Sequence, residues 1–428
     1  VTDSVIRDSV DTFGEGIYAS GDDQTIELVR TRITGHPYQG LILSGDVTIR
    51  DSTVSDNTSV SNGGAFFGNS IVLTIDGSTE LSYSDDARKR FEGTVPVWQA
   101  HGTPPRAAGL MRASESLKGA AAGVEFSLGR DKFFVEAKAE TILAAGAIGS
   151  PQILQLSGIG PPALLGRLAI PVVHELPGVG ENLHDHLQIR MQYKVRNART
   201  LNTVAASFWG KAAMALEYFA LRTGPLTMPP SQLGAFARSD PAQPTPNIEW
   251  HVQPLSLDKF GDPLHSFPAI TPSVCNLRPA SRGWVRIKSP DPAAHPEIKL
   301  NYLDDEQDRR VAVDAMRFTR RIMAARALAK YAPGEFRPGA ALEADAELAK
   351  AAGELGTTIF HPVGSCRMGA DRLAVVDDEL RVRGVRRLRV IDASVMPRIT
   401  SGNTNAPTYV IAEKGAQAIL KSVQSGAN

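Results

Sequence analysis

A glycine followed by two apolar or aromatic residues recurs at a fixed distance near the N-terminus. These triplets begin at Gly16, Gly40 and Gly64, so they repeat every 24 residues. A second set, rich in β-branched residues, recurs every 21 to 26 residues, at 26–28, 47–49 and 73–75. Short strands at this period, with polar turns between them, are typical of parallel β-helix coils. We therefore predict a β-helix-like segment over 1–82, with an irregular antiparallel β segment as the alternative.

The composition indicates a folded globular protein. Of its residues, 42% are apolar and 21% are charged. The length of 428 residues is enough for two or three domains. The 46 basic and 46 acidic residues balance, which argues against nucleic acid as a partner. No apolar run reaches the ~20 residues of a membrane span, and no signal peptide is recognised at the N-terminus. Cys275 and Cys366 are too few for a disulfide framework, so we expect a reducing, cytoplasmic compartment.

After the repeats, residues 83–117 contain basic residues and prolines and are predicted to be a linker. Ser150 is the predicted N-cap of a helix that runs to Leu156, with Pro151 at its first position. The periodicity of apolar residues predicts the remaining elements. Strands are predicted at 123–126, 132–136, 141–145, 247–252, 269–277 and 283–288, and helices at 208–223, 304–327 and 407–423.

The C-terminal third combines three features with chemical potential. Residues 361–368 read HPVGSCRM, residues 390–394 read VIDAS after a strand, and residues 401–408 read SGNTNAPT before a helix. Together they offer a histidine base, an acidic residue at a strand end and a helix N-terminus. This inventory suits alcohol oxidation by a flavin, because a histidine that titrates near neutrality can remove the hydroxyl proton. The alternatives are a structural histidine, a strand-end turn and a helix cap.

Several motifs in a fixed order resemble the glucose–methanol–choline (GMC) oxidoreductases. Residues 146–160, GAIGSPQILQLSGIG, match the second signature of that family at all fifteen positions. Residues 178–186 (GVGENLHDH), residues 277–283 (LRPASRG) and the C-terminal runs resemble the same family. The resemblance covers roughly 118–428, and the branch it resembles most is that of the choline-dehydrogenase-like alcohol dehydrogenases.

The resemblance implies an α+β (mixed α/β) fold. FAD-domain-like segments are expected at 118–185 and 356–428, and a substrate domain at 186–355. The N-terminal βαβ unit of the family, which holds the FAD pyrophosphate at a helix N-terminus, is not found. Gly14 and Gly16 lack the third glycine and the helix that should follow. A natural fusion, a truncated gene and an assembly artefact remain open, and FAD binding is expected to be weak or absent.

The resemblance also assigns roles to single residues. His361 matches the catalytic histidine of the family, and Asn403 matches the second catalytic position, with Asn405 as a near rival. A helix start aimed at the flavin pyrimidine would stabilise the negative charge of reduced flavin. The expected FAD-binding residues lie at the strand ends and at this helix start: Ala145, Gly146, Asp392, Ala393, Thr404, Asn405 and Ala406.

The resemblance implies FAD-dependent oxidation of a primary alcohol to an aldehyde, with a small-molecule alcohol as substrate. It identifies neither the alcohol nor the electron acceptor. The alternatives are a non-redox binding or structural module and a cofactor-independent lyase or hydrolase that uses His361. His184 and His186 have a metal-like H-x-H spacing, but no third ligand is evident and we predict no metal site. A buried, inert thiol is the expectation for Cys366.

Overall fold

A computed structural model describes residues 119–128, 131–227, 231–259 and 261–424, and before them the backbone of nine strands. Side chains at 127–128, 131–133 and 423–424 are not described. Those nine strands are β1 (Val5–Arg7), β2 (Ile17–Ala19), β3 (Thr25–Val29), β4 (Arg32–Thr34), β5 (Leu41–Arg50), β6 (Thr53–Ser55), β7 (Ala65–Asp76), β8 (Glu80–Leu81) and β9 (Arg106–Gly109).

The remaining strands are β10 (Gly123–Leu128), β11 (Asp131–Glu136), β12 (Thr141–Leu143), β13 (Ile159–Gly160), β14 (His174–Glu175), β15 (Glu181–Leu183), β16 (Leu187–Arg190), β17 (Gln192–Lys194), β18 (Leu233–Ala237), β19 (Ile248–Gln253), β20 (Ala269–Asn276), β21 (Gly283–Arg286), β22 (Glu297–Lys299), β23 (Gly334–Arg337), β24 (Gly356–Thr358) and β25 (Leu388–Val390). The α-helices of the described residues are α1 (Gly146–Leu156), α2 (Pro162–Arg167), α3 (Leu201–Val204), α4 (Phe208–Leu221), α5 (Glu306–Met323), α6 (Asp345–Leu355) and α7 (Asn405–Gln424). The fold is mixed α+β, as predicted.

One compact unit comprises residues 1–111, 123–138 and 414–428. Its first eight strands form two parallel sheets, β1-β4-β6-β8 and β2-β5-β3 with β7 beside β5. The register follows the sequence repeat, since Ile17 pairs with Leu41 and Leu41 pairs with Ala65. Stacked parallel strands are therefore present, whereas the β-helix-like interpretation of 1–82 stays a prediction, and most of the linker 83–117 lies outside the described residues.

In the same unit, β10 and β11 form the predicted hairpin, with Gly123 opposite Glu136. Strand β9 adds a third antiparallel strand on the β10 side. The hairpin turn at 129–130 lies outside the described residues.

The second unit comprises residues 112–122 and 139–413. Its largest sheet has seven strands, in the order β18-β19-β20-β16-β24, with β17 beside β20 and β23 beside β17. Ile189, Val274 and Trp250 lie side by side across β16, β20 and β19. They belong to one apolar core with residues of α5 and α6, so the helices cover one face of this sheet.

Helix α5 shows why the sequence forms this layer. Asp305 caps its start by accepting a hydrogen bond from the Gln307 amide, acidic residues lie in its first turn and basic ones in its last. Its buried residues recur with helical spacing, so one stripe packs on the sheet. Trp250 donates a hydrogen bond from Nε1 to Thr319 Oγ1 at 2.8 Å, which joins β19 to the helix.

The predicted helices and strands after residue 120 are largely confirmed. The predicted helix 304–327 is shorter, and the strand predicted at 141–145 ends at Leu143 with Ile142 exposed. The predicted domain boundaries at 118, 186 and 356 stay a prediction. No described helix combines the length and the apolar character that crossing a bilayer requires.

Candidate active site

The GVGENLHDH motif includes β15 and the connection from β15 to β16, and this connection holds the HPVGS segment beside it. His184 exchanges two backbone hydrogen bonds with Val363, at 3.1 and 2.9 Å. The His184 ring donates from Nδ1 to the Asn182 carbonyl at 2.7 Å and accepts the Ile399 amide at Nε2, at 2.9 Å. Burial lowers the pKa of His184 to about 4, followed by the effect of Arg282. His184 therefore joins three segments of the chain, because its backbone binds Val363 and its neutral ring binds the Ile399 amide.

The Asp185 carboxylate is buried and accepts hydrogen bonds from several segments of the chain. Its Oδ1 accepts the backbone amides of His361 and His186, each at 2.9 Å. Its Oδ2 accepts the hydroxyl groups of Tyr302 and Thr358, each at 2.5 Å. Four donors offset the cost of burying this charge. The backbone of His361 is thereby fixed, and a negative charge lies close to its ring.

His361 contacts a polar group at each ring nitrogen. Its Nδ1 lies 3.1 Å from Nδ1 of His186, and its Nε2 lies 3.4 Å from Nδ2 of Asn403. Burial is the main cause that lowers the pKa of His361, while the charges of Asp185 and Glu249 act in the opposite direction. The structure therefore brings together the two predicted catalytic residues, with a neutral imidazole poised as a base.

Gly364 lets the HPVGS segment approach its neighbour closely. Its φ is +92°, and a Cβ there would lie 2.6 Å from the Asn182 carbonyl oxygen and 2.7 Å from Cε1 of His184. An L side chain is therefore excluded by both conformation and space. The glycine fixes the backbone path three residues after His361.

Helix α1 begins at Gly146, so the prediction that Ser150 is the N-cap and Pro151 the first helical residue is wrong. Pro151 lies inside the helix and has no N–H for the carbonyl four residues earlier, that of Ala147. Ser365 Oγ donates a hydrogen bond to this carbonyl at 2.5 Å. The serine of HPVGS thus satisfies an acceptor that the proline leaves open, which couples two of the sequence motifs.

Asp392 lies at the start of the same helix. Its carboxylate accepts hydrogen bonds from the Gly146 amide at 3.0 Å, the Ser150 hydroxyl at 2.5 Å and the Ser394 amide at 2.8 Å. It therefore compensates the positive end of α1. The neighbouring Ala145 is exposed, and space is open around Gly146, where a Cβ would meet nothing within 4 Å.

The start of α7 is open on the side of Asn403. Asn403, Asn405 and Ala406 are exposed, and Thr404 is buried with its carbonyl bound to Thr408. The first amides of a helix lack intrahelical partners, and no acidic residue lies in this first turn. Such a helix start suits a group with negative charge, as the pyrimidine ring of reduced flavin would be.

The site lies on the face of the large sheet opposite α5 and α6. A Cβ at Gly402 would lie 4.0 Å from the Phe236 ring, and Phe236 pairs with Glu249 across β18 and β19. Glu249 is 3% exposed, its Oε1 lies 3.3 Å from His251 Nε2, and its Oε2 has no hydrogen-bond partner among the described residues. Sequence analysis missed this pair. The alternation of polar 249, 251 and 253 with apolar 248, 250 and 252 was the available signal.

Both cysteines are buried and free, and burial raises the pKa of each thiol. Cys275 Sγ lies beside Glu249 and His251, with the possible ligand atoms of all three within 4.8 Å of one another. A protonated thiol is a poor metal ligand, because the thiolate is the form that coordinates. His184 and His186 instead use their ring nitrogens in hydrogen bonds.

Comparison with known proteins supports the resemblance. Two family models, both described as GMC oxidoreductase, match residues 106–188 and 279–412. An oxygen-dependent choline dehydrogenase of Klebsiella pneumoniae is 44% identical over 301 residues, which are 70% of this chain and 54% of that protein. This chain thus spans about half the length of that relative.

Two solved structures are similar as well. Pyridoxine 4-oxidase from Mesorbium loti superposes with a TM-score of 0.62 at 28% identity, over 73% of this chain and 56% of that one. An FAD-dependent oxidoreductase from Chaetomium thermophilum superposes with a TM-score of 0.65 at 27% identity, over 74% and 61%. The superposed part of this chain is therefore similar to these proteins in three-dimensional structure as well as in sequence.

Proposed function

This chain belongs to the GMC oxidoreductase family, and we propose that it contributes the catalytic part of an FAD-dependent oxidation of a primary alcohol to an aldehyde. The observation that carries the proposal is the pairing of His361 Nε2 with the Asn403 amide at 3.4 Å. A base and a hydrogen-bond donor at this distance can engage one hydroxyl group together. The name of the Klebsiella relative makes choline the first alcohol to test.

The two side chains divide the work on the hydroxyl group. The substrate oxygen accepts a hydrogen bond from Asn403 Nδ2, and its proton passes to His361 Nε2. As the O–H bond breaks, hydride leaves the α-carbon and the carbonyl forms. Bound FAD would supply the hydride acceptor. The buried Asp185 carboxylate stabilises the imidazolium that results, since its charge favours the protonated form.

The residues present fit the flavin end of FAD. The open helix start at Asn405 and Ala406 would face the pyrimidine, while Ala145, Gly146, Thr404 and Ala393 would line the adjoining strand ends. Asp392 has a different role from these residues, because its carboxylate already accepts hydrogen bonds from three protein donors. We retain it as a residue that shapes this part of the site by holding α1.

Binding of FAD to the chain is proposed to be weak. Its pyrophosphate needs amide donors at a helix N-terminus, and the sequence provides no glycine-rich fingerprint before the matched region. Titration of the purified chain with FAD, followed by flavin fluorescence, measures this directly. Tight stoichiometric binding would show that another segment supplies the phosphate site.

The catalytic assignment is tested by His361→Ala at saturating FAD. We expect a fall in choline or simple primary alcohol oxidation on the order of 10²–10⁴-fold, the usual contribution of a general base. FAD affinity should not change. The exposed His295 provides the matched control His295→Ala, which should retain the full rate. Full activity of His361→Ala would remove this residue from the mechanism.

A further inference from the structure

His186 shares a hydrogen bond with the proposed base. The two Nδ1 atoms lie 3.1 Å apart, and the rings are nearly perpendicular, at 82°. A hydrogen bond between two imidazole nitrogens requires a proton on one of them and a lone pair on the other. The protonation of His186 therefore determines which nitrogen of His361 carries a proton.

The contact made by the second ring nitrogen of His186 identifies the tautomer of this ring. Its Nε2 lies 3.2 Å from the Leu277 carbonyl oxygen, which can only accept, so Nε2 carries the proton. The ring is fully buried, and burial, followed by the charge of His361, lowers the pKa of His186 to about 3. A neutral ring with its proton on Nε2 has only a lone pair on Nδ1.

We infer that His186 is a positioning residue, which holds His361 in the tautomer protonated at Nδ1 and leaves its Nε2 lone pair directed at Asn403. The chain of contacts runs from the Leu277 carbonyl through both rings to the Asn403 amide. The inference deepens the proposed function, on which its effect on the rate rests. The tautomer itself is a property of the folded chain alone.

A neutral acceptor differs from the carboxylate that orients histidine in many hydrolases. His186, as a neutral acceptor, fixes the direction of the His361 lone pair without adding a negative charge beside the His361 ring. The charged or titratable groups that act on His361 are then Asp185 from the β15–β16 connection and Glu249 and His251 from β19. Orientation and basicity of His361 are thus controlled by different residues.

The tautomer can be measured without cofactor or substrate. In the full chain labelled with ¹⁵N-histidine, long-range ¹H–¹⁵N spectra distinguish a protonated from an unprotonated ring nitrogen. We expect His361 to carry its proton on Nδ1 and His186 on Nε2, with the His361 signals assigned by their loss in His361→Ala. A proton on Nε2 of neutral His361 in the wild-type chain would overturn the inference.

Two substitutions separate positioning from structure. His186→Leu removes the acceptor, so the His361 proton should move to Nε2, and the alcohol oxidation rate should fall at least roughly 10-fold through kcat. His186→Asn can present an amide oxygen near the Nδ1 position, and it should retain the wild-type tautomer and most of the rate. His295→Asn is the exposed control. An unchanged His361 tautomer in a folded His186→Leu protein would refute the role.

The proposed function and the positioning role can fail separately. If the chain oxidises no alcohol but shows the expected tautomers and the expected response to His186→Leu, the function fails and the positioning role stands. If alcohol is oxidised with His361 protonated on Nε2, the positioning role fails and the function stands.

Discussion

The two faces of the seven-stranded sheet are built from alternate residues of the same strands, yet they differ sharply in polarity. On one face, Ile189, Val274 and Trp250 pack with α5 and α6 in an apolar core. On the other, the rows across β16, β20 and β19 are mostly polar and buried, as Gln188, Cys275 and Glu249 show. Period-two alternation usually separates a buried face from a solvated one. Here the polar face is largely buried as well, although its edge strand β18 is exposed.

The difference indicates which face maintains the fold and which is available for chemistry. Apolar burial stabilises at little cost, whereas a buried carboxylate with an unpaired oxygen destabilises unless something pairs with it. Glu249 is such a group, and it lies on the side of His361 and Asn403. Substitutions on the helix face should therefore reduce stability, and those on the polar face should change the behaviour of His361.

The largest stability effect is expected on the helix face. Met316→Ala, at a fully buried position of α5, should lower the free energy of unfolding of the second unit by about 2–5 kcal/mol. The exposed Arg310→Ala on the same helix is the control and should stay within about 0.5 kcal/mol. Urea unfolding followed by tryptophan fluorescence measures both. Equal effects would mean that this face does not maintain the fold.

A second effect should appear on acidification. His184 and His186 have folded-state pKa values of about 4 and about 3, below the usual 6.5. Below pH 6.5 the unfolded chain takes up protons that the folded chain does not, so stability falls as pH drops and is fully present above that pH. Between pH 6.5 and its folded-state pKa, each histidine lowers the free energy of unfolding by about 1.4 kcal/mol for each unit by which the pH falls.

Thermal unfolding at pH 7, 6 and 5 checks this dependence. His184→Gln should reduce it, because only the contribution of His186 then remains, whereas the exposed control His295→Gln should leave it as in the wild type. A melting temperature that stays constant from pH 7 to 5 would contradict neutral, buried histidines.

The smallest effect should come from Glu249→Gln on the polar face. The Glu249 charge raises the pKa of His361, against the larger effect of burial. Its removal should move the acidic limb of the pH–rate profile to lower pH by less than about 1 unit. Stability should hold or rise, because a buried charge is lost. Glu354→Gln, on the exposed side of α6, is the control, and a shift to higher pH would contradict the electrostatic role.

Much of the local structure was predictable, because helices and strands follow from short-range patterns. The periodicity of 304–327 predicts α5, and the glycine repeat anticipates which N-terminal strands pair. The start of α1 was mispredicted because Ser150-Pro151 resembles a helix start. In the fold, Ser150 Oγ accepts the Ala145 amide, and a long-range donor, Ser365, replaces the bond that Pro151 cannot make.

The sequence by itself determined the family motifs, several elements of the second unit and the candidacy of His361 and Asn403. Only the tertiary structure decided how these groups act, because His361 and His186 are 175 positions apart. Protonation, tautomer and burial depend on which atoms meet across such distances, and no local pattern encodes them. For this reason Asp185, Glu249 and the partnership of the two histidines emerged only from the fold.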